Sequence, residues 1–398
     1  MSNHTIISKK ELILRRNALF AVFLLPGMTF ASWVSRTPEI REILDISTAM
    51  MGWIIFGLAF GSIFGLLSAN RFILKTGGRF VIISSIIFLS IGLSIISIGI
   101  LIATSTIVFL GLVLFGVGYG LVEVATNVEG AKLEKIAKKT ILPALHASFS
   151  AGTLVGAGLG ALAIFIQLPI YIHLSFIIVI ILTIVWSAYR FIPEGTGKFI
   201  ITNEKIKTPL KVNLWKEKRT LLICLIVLGM AFAEGSANDW LPLAIVDGFL
   251  VEPTIGTAIY AIFLSAMFLG RISGGYFLDK YGRVIVLRIL AGLAIIGLTL
   301  VILSTNLVFA SIGVALWGLG ASLGFPVSLS AASDDPRGAV ARVGFVSVAG
   351  YLAFLVGPPI LGIIGEHIGL INAMSIVLVL VIIAGIVSHS AKELKMTD

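Results

Sequence analysis

"LFGVGYGLVEV", Leu114 to Val124, is echoed by "LWGLGASLGFP", Leu316 to Pro326, with Gly116 and Gly118 standing 202 residues ahead of Gly318 and Gly320. A second pair keeps nearly the same offset: "SANRFILKTGGR" (Ser68–Arg79) lies over "SGGYFLDKYGR" (Ser273–Arg283). The first pair sits inside apolar runs long enough to cross a bilayer as helices, and the second closes such runs. Two matches at nearly one offset divide the chain into similar halves. The matched segments are an even number of spans apart, so they cross the membrane in the same direction.

The rest of the composition agrees. Of 398 residues, 58% are hydrophobic and 12% charged, whereas a soluble domain carries about 25% charged residues. Runs and breakers give twelve spans, near 17–36, 49–73, 80–101, 105–131, 141–166, 169–191, 219–245, 255–278, 284–303, 306–332, 341–365 and 369–389. The expected fold is an all-α membrane protein of twelve transmembrane helices in two pseudo-symmetric six-helix halves, 1–192 and 219–398, joined by a cytoplasmic central loop, 193–218. A parallel repeat of this kind is an arrangement of secondary transporters, with the solute site near the membrane midplane. The first span reads as uncleaved, because Ala31 is followed by Ser32 and Trp33 and not by a small-residue cleavage site.

The net charge of +9 is explained by its placement. Arg71, Lys75, Arg79, Lys132, Lys135, Lys138 and Lys139, seven basic residues over 193–219, and Lys280, Arg283, Arg288, Arg337, Arg342, Lys392 and Lys395 all fall on one side if the N-terminus is inside. Only Arg36 and Arg41, among Glu39, Glu42 and Asp45, fall on the other. This asymmetry puts both termini in the cytoplasm and removes any need for a nucleic-acid partner. Cys224 is the only cysteine, so disulfides and a cysteine metal site are excluded. "PEGTGK", Pro193 to Lys198, lacks the spacing of a phosphate loop and is followed by Phe199, and is read as solvated linker. No cofactor is expected, and no nucleophile, base and orienter assemble into an enzyme site.

Glycines four apart, Gly61/Gly65, Gly116/Gly120, Gly152/Gly156, Gly270/Gly274 and Gly320/Gly324, share a helix face and let neighbouring helices approach. The ionisable residues inside spans cost at least ~2.5–3.5 kcal/mol each on insertion scales and face a cavity or a partner. Glu123 falls mid-span with Asn127 one turn on, and Glu234 likewise with Asn238. Glu123 and Glu234 are the candidate proton carriers; Asn127, His146, Glu234, Asn238, Trp240 and Trp33 are the candidate solute contacts. His146 is equally readable as packing, and Trp33 as an interfacial anchor. Asp239 lies about 100° round the helix from Asn238 and is read as structural, pairing with Arg36 at the outer end. Arg271 is assigned to an inner gate or to packing.

"GGYFLDKYGR" resembles the inner-loop signature of the major facilitator superfamily, and the whole chain fits that layout. The resemblance implies gating roles for Gly275, Asp279, Lys280, Gly282 and Arg283, with Asp279 accepting from a helix N-terminus or pairing with a cytoplasmic arginine in the outward-open state. In the first-half copy Lys75 replaces the acid. "VEVATN" (Val122–Asn127) and "LHASFSAGTLVG" (Leu145–Gly156) resemble spans four and five of the fucose-permease branch. "ASWVSRTPEIREIL", "EGSANDWLP" and "LGFPVSLSAASD" resemble a bacterial inner-membrane subgroup of it. The branch's acid in span one has no counterpart over Ser32–Ser35. The resemblance implies proton-coupled symport of a small polar solute, such as a sugar or sugar derivative, by a monomer whose partners are solute, protons and the bilayer. Proton-driven efflux antiport is the alternative.

Overall fold

The computed structural model describes residues 8–137, 141–198, 213–335 and 338–394. Lys138, Lys139, Arg337 and Lys395, and most of the expected central loop, lie outside them. Among the described residues there is no strand, and twelve helices are long and apolar enough to cross a membrane. The helices are α1 (Lys9–Val34), α2 (Thr37–Leu44), α3 (Thr48–Thr76), α4 (Gly78–Leu101), α5 (Ser105–Ala137), α6 (Leu142–Phe165), α7 (Ile170–Ala188), α8 (Lys218–Phe249), α9 (Pro253–Tyr281), α10 (Arg283–Leu303), α11 (Leu307–Ala321), α12 (Gly324–Ala332), α13 (Ala339–Ile368), α14 (Leu370–Ala373) and α15 (Ser375–Val387). The all-α, twelve-span expectation holds.

The chain forms two compact units: Met1–Trp33 with Gly57–Thr202, and Val34–Phe56 with Asn203–Asp398. A cut at the central loop would put Val34–Phe56 with the first half. Specific ties hold it to the second unit instead. The Arg41 guanidinium grips Asp247 with two bonds, 2.5 and 2.7 Å. Thr257 Oγ1 donates to the Ser35 carbonyl at 3.0 Å, and Glu366 accepts from the Ala49 backbone N–H at 3.1 Å. The short helix α2 was not anticipated, since its eight residues carry no span-length pattern.

In the first unit the spaced glycines do what their spacing suggests. A methyl placed on Gly116 would lie 2.1 Å from the Leu58 carbonyl oxygen, and one on Gly61 2.0 Å from that of Val113. Thus α3 and α5 touch backbone to backbone through both glycines, and α6 meets α1 in the same way at Gly152 and Leu24.

The "PEGTGK" stretch is solvated at Glu194, Gly197 and Lys198 but docked through its middle. Thr196 is buried, and its carbonyl accepts from the Gly78 N–H at 2.8 Å. Gly77, at φ +92°, sits so close to Gly195 that a methyl would fall 2.9 Å from its Cα. Glu194 pairs with Arg79 at 2.9 Å. The glycines that made the stretch look flexible are what allow it to lie flat on the α3–α4 turn.

Span ten, expected as one helix, is broken between α11 and α12. Pro326 has no N–H to give to the Ser322 carbonyl, and its ring crowds that oxygen. The proline falls in the first turn of α12, where it is tolerated.

Candidate functional site

In the first unit, Tyr119, Glu123 and Asn127 follow one another at four-residue steps along α5. They share one face, and all three are half-buried. Asn127 donates from Nδ2 to the Glu123 carbonyl at 2.8 Å. Its Oδ1 shares a 3.0 Å hydrogen bond with His146 Nε2 from α6. Phe23 from α1 meets the His146 ring edge-on, centroids 5.6 Å apart. Tyr119 lies among Phe30, Phe115 and Phe149, with centroids 5.9, 6.3 and 6.4 Å away. The result is a polar stripe walled by rings, able to hydrogen-bond a polyol on one side and stack on its apolar face. The structure brings Asn127 and His146 together. Tyr119 was missed, although its place four residues before Glu123 marked it.

In the second unit, Glu234 is not alone. Its Oε1 lies 2.6 Å from an Arg271 terminal nitrogen, and Arg271 Nε donates to the Ser322 carbonyl at 3.3 Å. That carbonyl is the one Pro326 frees at the helix break. Met230, one turn before Glu234, fills the space beside Gly324, where a methyl would come within 2.2 Å of its Cβ. This contact seats α8 against the start of α12 and brings Glu234 to the break. Arg271 is therefore the partner of the acid, a role the sequence reading did not give it. Two in-span charges of opposite sign were the available signal.

Asn238, one turn on from Glu234, accepts from the Tyr260 hydroxyl at 3.1 Å. Four residues later Pro242 sits inside α8 and leaves the Asn238 carbonyl without its helical donor. Three expectations are corrected. Trp240 is 0% exposed, its ring against Gly52 and Gly362, where added methyls would lie 3.2 Å from ring carbons. A ring sealed that way presents no face to a solute. Trp33, 1% exposed, is likewise core and neither cavity wall nor interfacial anchor. Arg36 does not pair with Asp239. It pairs with Glu39, three residues on, because α2 begins at once and carries that carboxylate back beside it. Among the described residues Asp239 makes no hydrogen bond or ion pair. At the Arg36–Glu39 pair, burial pulls the guanidinium below its ordinary value and pushes the carboxyl up, opposed in both cases by the attraction between the two.

At the C-terminal end of α9, Asp279 is exposed and makes no hydrogen bond or ion pair among the described residues; the contact expected of it belongs to the outward-open state. The anchoring acid is Asp334, which takes Arg219 and Arg283 on its two oxygens, each at 2.7 Å. Lys280 lies over the Tyr276 and Tyr281 rings. Gly282, at φ +76° with nothing near its absent side chain, is required by conformation; Gly275 has open space beside it. Arg342 grips Glu217 at 2.7 and 2.9 Å and holds that carboxyl below the usual range. In the first unit Arg15 and Glu129 form the counterpart, 3.1 Å apart and 5% and 0% exposed. Among the described residues no cluster of ligands fit for a metal ion occurs.

Twelve spans, glycine-mediated helix crossings and polar groups collected inside the spans define a multi-pass membrane transporter. The chain belongs to the Major Facilitator Superfamily, which it matches over residues 18–343. It is 26% identical to an uncharacterized transporter of Sinorhizobium fredii, over 87% of this chain and 90% of that one. Its fold is like that of a variant of the nucleoside transporter NupG, with a TM-score of 0.74 at 15% identity over 95% of this chain and 98% of that one. It is also like FucP in its outward conformation, with a TM-score of 0.68 at 14% identity over 96% and 100%. The relatives and the family are transporters, not enzymes.

Proposed function

We propose that the chain is a proton-coupled symporter of a small polar solute, a sugar or sugar derivative, working by alternating access in a bacterial inner membrane as a monomer with both termini cytoplasmic. The observation that carries this reading is the Tyr119–Glu123–Asn127 stripe joined to His146. It sets a carboxylate in the membrane beside an amide, an imidazole and aromatic rings. A carboxylate so placed can exchange a proton, and the amide, imidazole and rings suit a polyol. The structurally similar FucP is a fucose:proton symporter, and NupG a nucleoside transporter, so polyhydroxylated solutes are the natural probes.

The test is uptake of labelled L-fucose, D-galactose and uridine into proteoliposomes loaded with a pH-sensitive dye. Symport acidifies the lumen as solute enters, and antiport makes it alkaline. Glu123→Gln is expected to abolish accumulation driven by a pH gradient while leaving solute exchange. Accumulation and acidification at wild-type rates in Glu123→Gln would remove Glu123 from the coupling.

A further inference from the structure

The Glu234–Arg271 pair does not read as mere packing. Arginine stays charged at any relevant pH and its planar fork matches a carboxylate with two parallel bonds. Holding it in a span is costly, and an ion pair buried only for stability is often matched by apolar residues. Arg271 is nonetheless built in with care. Gly270, one residue before it, has no side chain to keep Ser322 away; a methyl there would lie 2.4 Å from Ser322 Oγ. Pro326 frees the Ser322 carbonyl, and Arg271 Nε takes it. The break in span ten and the guanidinium thus form one unit, of the kind in which interrupted membrane helices meet charged ligands.

The pair is also not sealed. The Arg271 side chain is 25% exposed and that of Glu234 14%. Charged groups within spans almost always face the bundle interior or a water-filled cavity, and partial exposure of both side chains is what such a cavity would leave. One turn along α8 from Glu234 stands the Asn238–Tyr260 pair, whose amide and hydroxyl suit a polyol.

From these positions we infer that the solute is an acid, a sugar bearing a carboxylate, and that its carboxylate displaces Glu234 from Arg271. Glu234 is the resident anion that keeps the arginine paired while the site is empty. Asn238 and Tyr260 then hold the hydroxyls. This deepens the sugar-derivative reading above and rests on it.

The experiment measures thermal stability of the purified protein in detergent, titrated at constant ionic strength with D-glucuronate, D-gluconate, D-glucose and L-fucose. A ligand that binds the folded state raises the melting temperature in a saturable way. The acids are expected to do so and the neutral sugars to do so more weakly. Glu234→Gln, which removes the competing anion, should tighten acid binding. Arg271→Gln should weaken it about tenfold or more, the worth of a lost charge-assisted bond. Arg271→Lys keeps the charge without the fork and should fall between them, which separates recognition from misfolding. A purely structural pair would lower the unliganded melting temperature in both variants and leave acid binding unmoved or weaker in Glu234→Gln, and that result overturns the inference. So does the absence of a saturable response to either acid. A response to the neutral sugars alone would overturn the acidic class while leaving symport, which is read independently from lumen pH, intact.

Discussion

Glu129 and Arg15 offer the sharpest test of what holds the first unit together. The carboxylate is 0% exposed and the guanidinium 5%, at 3.1 Å, and Gly78 makes room for the acid, since a methyl there would lie 2.7 Å from Glu129 Oε1. Glu129→Leu leaves the Arg15 charge buried without its counter-ion, a loss of about 3–5 kcal/mol. At about 2–4 °C per kcal/mol for a unit of 150–250 residues, the melting temperature should fall by roughly 10 °C. Restoring neutrality should recover most of it. The Arg15→Met, Glu129→Leu double variant removes both desolvation costs, and apolar replacement of a whole buried pair is often neutral or stabilising. The assay is thermal unfolding in mild detergent, followed by tryptophan fluorescence, on the two singles, the double and the parent. The coupling energy of that cycle is the quantity of interest. Additive losses, with the double variant lower than either single, would show that the two side chains act separately and refute the reasoning.

The Arg41–Asp247 pair is two-pronged but 24% and 32% exposed, so Arg41→Ala should cost only about 1 kcal/mol, and the Arg41→Asp, Asp247→Arg exchange should restore the parent melting temperature; a swap no better than Arg41→Ala would count against the pairing. The Glu217 carboxyl, held below its usual value by the Arg342 hydrogen bond and charge, contributes stability that is fully present above the ordinary carboxylate value near ~4.3 and is lost as pH falls through the lowered one. Melting temperature should therefore slope downward below about pH 4.3 less steeply in Glu217→Gln than in the parent, and identical slopes would mean the pair does not form.

How much of this was legible beforehand follows from what each residue type constrains. The glycine pairs told which helix faces are closely approached, though not by which neighbour, because at those crossings only a hydrogen fits: Gly116 against Leu58 and Gly61 against Val113 are contacts that any side chain would forbid. The stripe on α5 was legible in phase, since four-residue steps place Glu123 and Asn127 on one face whatever surrounds them. The large rings were not. Trp240 suits a sugar face and a helix crossing equally well, and the choice rests on Gly52 and Gly362, far away in the chain. The buried Thr196 was hidden for the opposite reason: a glycine-rich stretch reads as loose until another glycine, Gly77, is found beneath it.

Charge raised a further difficulty, and it bears on function. Pairing Arg36 with Asp239 followed from each being an ionisable residue toward the outer end, but nearness in the chain favoured Glu39, which the first turn of α2 delivers at almost no loop-closure cost. Pairing Glu234 with Arg271 demanded instead that two spans adjacent in sequence lie side by side, and that the span carrying Pro326 break where it does. Pro326 was plain in the sequence as a residue, but its effect falls four residues back, on the Ser322 carbonyl, and shows only as the hydrogen bond from Arg271. A proline that merely bent the helix would leave that oxygen to water. Here a charged side chain has been placed on it, next to an acid, and it is on that combination that the proposed solute site rests.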